Sequence, residues 1–154
     1  MFKIFTKLAH ALENRTTYKI GILQDRAYRI LKTHTNDFLR TKGINSVQWA
    51  MIGLLSDLKD GLRPNQIAHE LGVEPPFITS IGKDLEAYKY LETKQDMADS
   101  RSKIICISEK GKKFVKETEK ELREHMSPLL KDVSVNDTLS YLTFLYTIIN
   151  NYKK

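Results

Sequence analysis

Apolar positions recur at helical spacing over most of the chain, and one short stretch departs from that rhythm. From Tyr18 to about Lys42 the large or apolar residues are Ile20, Leu23, Ala27, Ile30, Leu31, His34 and Phe38, which predicts a long amphipathic helix closed by Gly43. Asn45 with Gln48 three residues later has the form of a capping box. Val47, Met51, Leu54, Leu55 and Leu58 then make one face of the next helix, which Asp60-Gly61 is expected to end. Pro64 opens a short helix at a position where its missing N–H costs nothing. Ile67, Ala68 and Leu71 supply the apolar face, and Gly72 stops it. Pro75-Pro76 introduces another helix, with Ile78, Ile81, Leu85 and Tyr88 spaced by three and four.

The rhythm changes at Leu91–Gln95 and Lys103–Ile107, two short runs around the polar stretch Asp96–Ser102. The second is rich in β-branched residues (Ile104, Ile105, Ile107), and the pair predicts a β-hairpin. Ser108 caps a further helix with Glu109 in its first turn. Val115, Thr118, Leu122, His125, Met126 and Leu129 carry that helix to about Pro128 or shortly beyond. The last segment, Asn136–Tyr152, differs. Tyr141, Leu142, Phe144, Leu145, Tyr146, Ile148, Ile149 and Tyr152 cover most of its circumference. A helix that is apolar nearly all round must be buried nearly all round. At a chain end, a second subunit is the expected cover, so the terminal helices are expected to form a homodimer.

The most specific signal lies between Pro64 and Ile81. Ala68 is small where two helices must approach, Gly72 suits the turn, and Ile78 and Ile81 pack the second helix back onto the first. That order is what a helix-turn-helix requires, although an ordinary helical hairpin would share it. The hairpin directly after it completes the order of a winged helix. With Ile78, Ile81 and Leu85 inward, the opposite face carries Pro76, Thr79, Ser80, Lys83 and Asp84. Thr79, Ser80 and Lys83 lie in the half of a recognition helix that reaches base edges in a major groove. The other reading is a solvated face, which Asp84 and Glu86 favour because both would repel phosphate. At the hairpin tip, Asp99, Arg101 and Lys103 are candidates for the minor groove, where negative potential is enhanced. Asp99 either holds the guanidinium or braces the turn.

Net charge sharpens this picture rather than carrying it. The 154 residues hold 25 Lys+Arg and 19 Asp+Glu, a formal charge of +6. Residues 1–60 hold 10 basic and 5 acidic residues, a surplus of +5, whereas residues 61–113 hold 9 and 8, a surplus of only +1. Nucleic-acid binding by the candidate reading head therefore has to rest on a few placed cations, not on bulk charge. The hydrophobic content of 41% suits a folded chain, and no apolar run approaches the length of a membrane span. One cysteine, Cys106, excludes an intrachain disulfide and fits a reducing compartment, with burial in the hairpin as its expected role. Lys3 and Lys7 break up the apolar residues of the first turns, so no signal peptide is expected and the cytoplasm is the expected location.

Taken together in register, these segments resemble the MarR family of winged helix-turn-helix regulators. The best match is Asp99 and Arg101 followed by Ile107-Ser108-Glu109-Lys110-Gly111, similar to that family's D-x-R and L-T-x-x-G. Gly43 to Trp49, Gln66 to Val73, and Leu85-Glu86 are further matches, and the likeness runs from about residue 18 to the end. Ser80 stands where members often carry Arg, and Pro64, Pro75 and Pro76 stand where Ser or Thr is common. Gly82 lies mid-helix at a cost of about 1 kcal/mol relative to Ala.

The resemblance implies a mainly α fold with a small β-hairpin wing: a winged helix-turn-helix core over residues 43–113, with residues 1–42 and 114–154 forming the dimerisation region. It implies a dimeric transcriptional regulator, with a recognition helix at about 75–90 in the major groove and a wing at 91–107 at the minor groove. Double-stranded DNA bearing a pseudo-palindromic operator would be the partner. Gln66, Pro76, Thr79, Ser80, Lys83, Asp99, Arg101 and Lys103 are the candidate DNA contacts. A small aromatic or lipophilic effector is also implied, with His34, Phe38, Trp49 and Met51 as candidate lining residues; core packing is the competing role for these four. The alternative function is a winged-helix dimer acting as a protein-interaction or anti-regulator module without operator binding.

Enzyme chemistry finds no foothold. His10, His34, His69 and His125 lack metal-ligand spacing, and no phosphate-binding glycine loop or nucleophile motif occurs. No metal and no cofactor are expected.

Overall fold

The computed structural model describes residues 17–97, 99 and 102–152. Helix α1 spans Thr17–Thr41, α2 Ser46–Ser56, α3 Pro64–Leu71 and α4 Pro75–Ala87. Strands β1 (Leu91–Gln95) and β2 (Lys103–Ile107) follow, then α5 (Glu109–Met126) and α6 (Val135–Tyr152). The strands pair antiparallel, Leu91 opposite Ile107 and Gln95 opposite Lys103. The fold is thus mainly helical with one two-stranded wing.

Most boundaries fall where local chemistry puts them. Gly43 takes φ +78 after α1, and the Ile44 N–H donates back to the Leu39 carbonyl at 3.2 Å. Asn45 Oδ1 accepts from the Val47 and Gln48 N–H groups at 3.0 and 2.9 Å, while the Asn45 N–H donates to Gln48 Oε1 at 3.0 Å. This is the expected capping box. Gly72 ends α3 with φ +64, and Ser108 Oγ caps α5 by accepting from the Gly111 N–H at 3.0 Å.

Four of the helix boundaries differ visibly from the pattern reading. Helix α2 stops at Ser56, ahead of Asp60-Gly61, because Gly61 serves the wing instead. There Gly61 has φ +72, and a Cβ would lie 2.3 Å from the Ile105 carbonyl oxygen. Its neighbour Leu62 forms a two-way bridge with Ile105, at 3.0 and 2.9 Å, which lays a third chain segment beside β2. Helix α4 ends at Ala87 rather than near 90. Lys89 adopts φ +60, so the Tyr90 N–H can return to the Leu85 carbonyl and the chain can turn into β1. Helix α5 stops at Met126, and α6 begins one residue early, at Val135. Ser134 and Asp137 cap α6 reciprocally. Hydrogen bonds from the Ser134 hydroxyl and N–H hold the Asp137 carboxyl below the usual carboxylate range.

The core belongs to residues 39–107. Leu39, Ile44, Met51, Ile52, Leu55, Ile67, Ala68, Ile78, Ile81, Leu85, Leu91, Ile105 and Ile107 form one buried cluster. Phe114 and Val115 of α5 lean on its edge, and Tyr90 stacks on Phe114 with ring centroids 4.3 Å apart. Partial burial, with Tyr88 nearby, raises the Tyr90 hydroxyl pKa. Helix α6 has no buried residue, and Leu142, Phe144, Ile148 and Ile149 stand exposed on it. Tyr18, Ile22 and Leu23 of α1 are exposed as well.

Two glycines with opposite surroundings test this packing. A Cβ on Gly82 would meet Met51 Cε at 3.7 Å and Ile105 Cδ1 at 4.0 Å, ordinary contacts in helical backbone. Gly82→Ala is therefore expected to stabilise the protein by about 0.5–1 kcal/mol. Gly61→Ala is expected to destabilise it by about 2 kcal/mol or more, through positive φ and the collision with Ile105. Denaturant unfolding of both variants reads the two signs, and equal effects would contradict the packing at Gly61.

Candidate nucleic-acid interface

Helix α4 buries Ile78, Ile81, Gly82 and Leu85 and turns Pro76, Phe77, Thr79, Ser80 and Lys83 outward. Its orientation follows from apolar spacing along α4 and from Ala68, which is buried in α3 and lets the two helices approach. Thr79 and Lys83 meet the wing across a shallow cleft of about 230 Å³. Pro64 and Lys103 close its other sides, with Gly82, Glu86, Thr93 and Ile105. Two of the predicted cations, one from the helix and one from β2, thus share one concavity. Glu86 accepts a hydrogen bond from the Thr93 hydroxyl, which turns its carboxylate toward the wing. Asp84 lies on the other flank, 3.5 Å from Gln48 Nε2 of α2.

The remaining candidates are distributed. Pro76 and Ser80 are exposed on the same helix outside the cleft. Gln66 is on a separate groove with Leu54, Leu58, Leu62, Asn65, His69 and Glu70, and its Oε1 accepts from the Arg63 N–H at 2.9 Å as the cap of α3. Asp99 braces the wing turn: Ser102 Oγ donates to its carboxylate at 2.9 Å, and the Ser102 N–H donates to its carbonyl at 2.9 Å. Arg101 lies outside the described residues.

Two features were not legible along the chain. Phe77 is 42% exposed on the first turn of α4, beside the predicted contacts. Only its position on the flank of the apolar stripe signals that. Arg63 reaches Asp96, with Nε at 2.7 Å and Nη2 at 2.6 Å from Oδ2. The partners lie 33 residues apart, so no local pattern announces them.

The four candidate effector residues sit in two places. His34 stacks on His125 of α5 with ring centroids 4.3 Å apart, and Phe38 lies 5.2 Å from the same ring. Thr35 Oγ1 adds a contact to Met126 Sδ at 3.7 Å. Met51, by contrast, is wholly enclosed in the core, and Trp49 packs at the core edge. Residues two apart on a helix point to nearly opposite sides, which separates Trp49 from Met51. Cys106 is buried in β2, its Sγ 3.5 Å from the Asp60 carbonyl oxygen. Among the described residues, no cluster of three His, Cys, Asp or Glu is placed to hold a metal ion. No helix among them is long and apolar enough to cross a membrane.

Met51→Ala is expected to lower stability by roughly 2–5 kcal/mol, the range for emptying a filled core site. A denaturation midpoint unchanged by this substitution would put Met51 outside the core.

No family model matches the sequence. The transcriptional activatory protein BadR of Rhodopseudomonas palustris is 25% identical over 146 residues, covering 93% of this chain and 81% of BadR. Among solved structures, a MarR-family transcriptional regulator from Rhodococcus sp. RHA1 superposes with a TM-score of 0.78 at 17% identity, over 86% of this chain and 93% of its own. CouR from Rhodococcus jostii RHA1, in a structure with bound p-coumaroyl-CoA, gives 0.76 at 19% identity, over 84% and 90%. The MepR–DNA complex of S. aureus gives 0.70 at 23% identity, over 85% and 96%. The fold of this chain is that of the MarR-family winged-helix regulators.

Proposed function

We propose that this chain is a DNA-binding transcriptional regulator of the MarR type that works as a homodimer. The observation that carries the reading is the cleft in which Thr79 and Lys83 of α4 face Lys103 of the wing. A recognition helix and a wing that share one concave, cation-bearing surface suit a duplex, with α4 in the major groove and the hairpin over the adjoining minor groove. The MepR–DNA complex and the name of BadR support the same function, and the relatives found are regulators rather than enzymes. Pro76, Thr79, Ser80, Lys83 and Lys103 are the proposed contacts of the described face. Asp99 acts by bracing the wing turn, and Arg101 and Gln66 complete the set.

Uncovered apolar surface supports the dimer. Helix α6 exposes Leu142, Phe144, Ile148 and Ile149, and α1 exposes Tyr18, Ile22 and Leu23. Such a surface needs a partner, and a second copy carries the matching one. Residues 1–42 and 114–154 then form the dimerisation region around residues 43–113. Two recognition helices in successive major grooves require half-sites about 34–36 Å apart, hence a pseudo-palindromic operator.

A small aromatic or lipophilic effector would act where α1 meets α5, beside His34, Phe38 and His125. That junction lies within the proposed dimerisation region, on the stretch of α1 that leads into residues 43–113. An effector there shifts half-site spacing only as far as it prefers one arrangement over the other. CouR with its bound p-coumaroyl-CoA supports this part of the reading.

Retardation of mixed genomic fragments across a salt series tests DNA binding. Log affinity is expected to fall linearly with log salt, and Lys83→Ala or Lys103→Ala is expected to flatten the slope by about one unit each. Lys116→Ala, on α5 away from the cleft, is expected to leave it unchanged. No retardation at low salt would reject operator binding in favour of a protein-interaction module. In light scattering, the wild type is expected at twice the chain mass, and Leu142→Glu with Ile149→Glu at the mass of one chain. A monomeric wild type would reject the dimer.

A further inference from the structure

The Arg63–Asp96 pair is the one ion pair among the described residues that joins the helix-turn-helix to the wing. Its placement is specific. Arg63 is the last residue before Pro64 and caps α3 through its backbone, whereas Asp96 is the first residue beyond β1. The intervening geometry is stitched at each step. Gly61 lies against Ile105 and Cys106, Leu62 bridges Ile105, and the Arg63 side chain crosses the hairpin to the end of its far strand. Asp96 also donates its own N–H to the Ser102 carbonyl at 3.1 Å, at the base of the turn that Asp99 and Ser102 close. A two-stranded hairpin is marginal by itself. Here one end of it is tied to the start of the reading head.

We propose that Arg63 and Asp96 are positioning residues that hold the wing at a set angle to the recognition helix, so that α4 and the wing meet a duplex together. Asp96 is only 6% exposed, and a carboxylate taken that far out of water requires a partner. Arg63 supplies two donors to one oxygen while keeping a side chain that is 44% exposed. The arrangement neutralises Arg63 internally, so its role differs from that of Lys83 and Lys103, whose charges face the cleft. A break at this pair leaves α3 and α4 packed and keeps Leu91, Ile105 and Ile107 of the strands in the core. It frees the outer end of the hairpin to swing. The inference rests on the proposed DNA binding for its affinity readout alone; the geometry it describes is measurable in the free protein.

The test uses the full chain with Arg63→Met, Asp96→Asn and both together. Two quantities are read: amide hydrogen exchange, and affinity for the best-bound duplex from a randomised library. Both single variants are expected to speed exchange over residues 91–107 while leaving α2 and α4 as protected as in the wild type. Each is expected to weaken DNA binding roughly tenfold, and the double variant no more than either single one, since residues acting as one unit are not additive. Unchanged wing exchange in both single variants would overturn the proposal. So would weakening by Arg63→Met alone with a salt slope lower by about one unit, because that marks Arg63 as a phosphate ligand. Loss of protection throughout α2 and α4 would also overturn it, by making the pair a general prop of the core. If the unaltered protein binds no duplex, the functional reading fails, and the exchange arm alone decides the pair.

Discussion

Helix α2 packs against α1, α3, α4, β2 and α5, and the placement of α4 depends on its burial. Met51, Ile52 and Leu55 are its fully enclosed side chains, and α4 rests on them through Ile78, Ile81 and Leu85. With Gly82 near Met51, α4 sits low on this platform. Core side chains are close-packed, so a change in any of these volumes is transmitted to the outward face of α4. The capping box at Asn45 and the bond from the Ser46 N–H to Asn36 Oδ1, at 2.8 Å, orient α2 against the end of α1. A short helix thereby links the long helix bearing exposed apolar surface to the helix that meets DNA in the proposed reading.

The same wiring gives a route between distant surfaces. Lys42 of the α1 end pairs with Glu121 of α5 at 2.5 Å, and the stacked His34 and His125 lie between the same two helices. Tilting α5 against α1 would disturb both contacts and shift the edge of the core at Phe114 and Val115. The route ends at Ser108, whose hydroxyl donates to the Lys89 carbonyl at 2.7 Å where α4 turns into the wing. The α1–α5 pair and the α4–wing pair are therefore mechanically adjacent, which is what the proposed effector response would use.

Much of this architecture was legible in order and type. The strands Leu91–Gln95 and Lys103–Ile107 coincide with their predicted limits, because a change from helical spacing to a β-branched run between polar stretches is a local signal. The caps at Asn45, Gly72 and Ser108 are local as well. The outward set on α4 was legible because burial of Ile78, Ile81 and Leu85 fixes the opposite face. The end of α2 was not, since Gly61 reads as a helix stop until its approach to Ile105 is known. For Met51, Trp49, His34 and Phe38, the sequence left a ligand-lining role and core packing side by side, and the fold puts Met51 in the core. Helix geometry separates the first two, and only packing joins the last two to His125.

By itself, the sequence determined the kinds of elements, their order, their caps and which face of each is apolar. These follow from interactions between residues a few positions apart, where spacing and backbone preference suffice. It also marked the charge as too thinly spread over residues 61–113 to argue binding alone. Only the tertiary structure decided that Thr79, Lys83 and Lys103 share a cleft, that Glu86 turns to Thr93, and that Arg63 is held by Asp96. Those contacts join segments separated by as much as 33 residues, across chain reversals that no local pattern encodes. The angle between helix and wing is a property of such contacts, which is why it appears in the fold and not in the string.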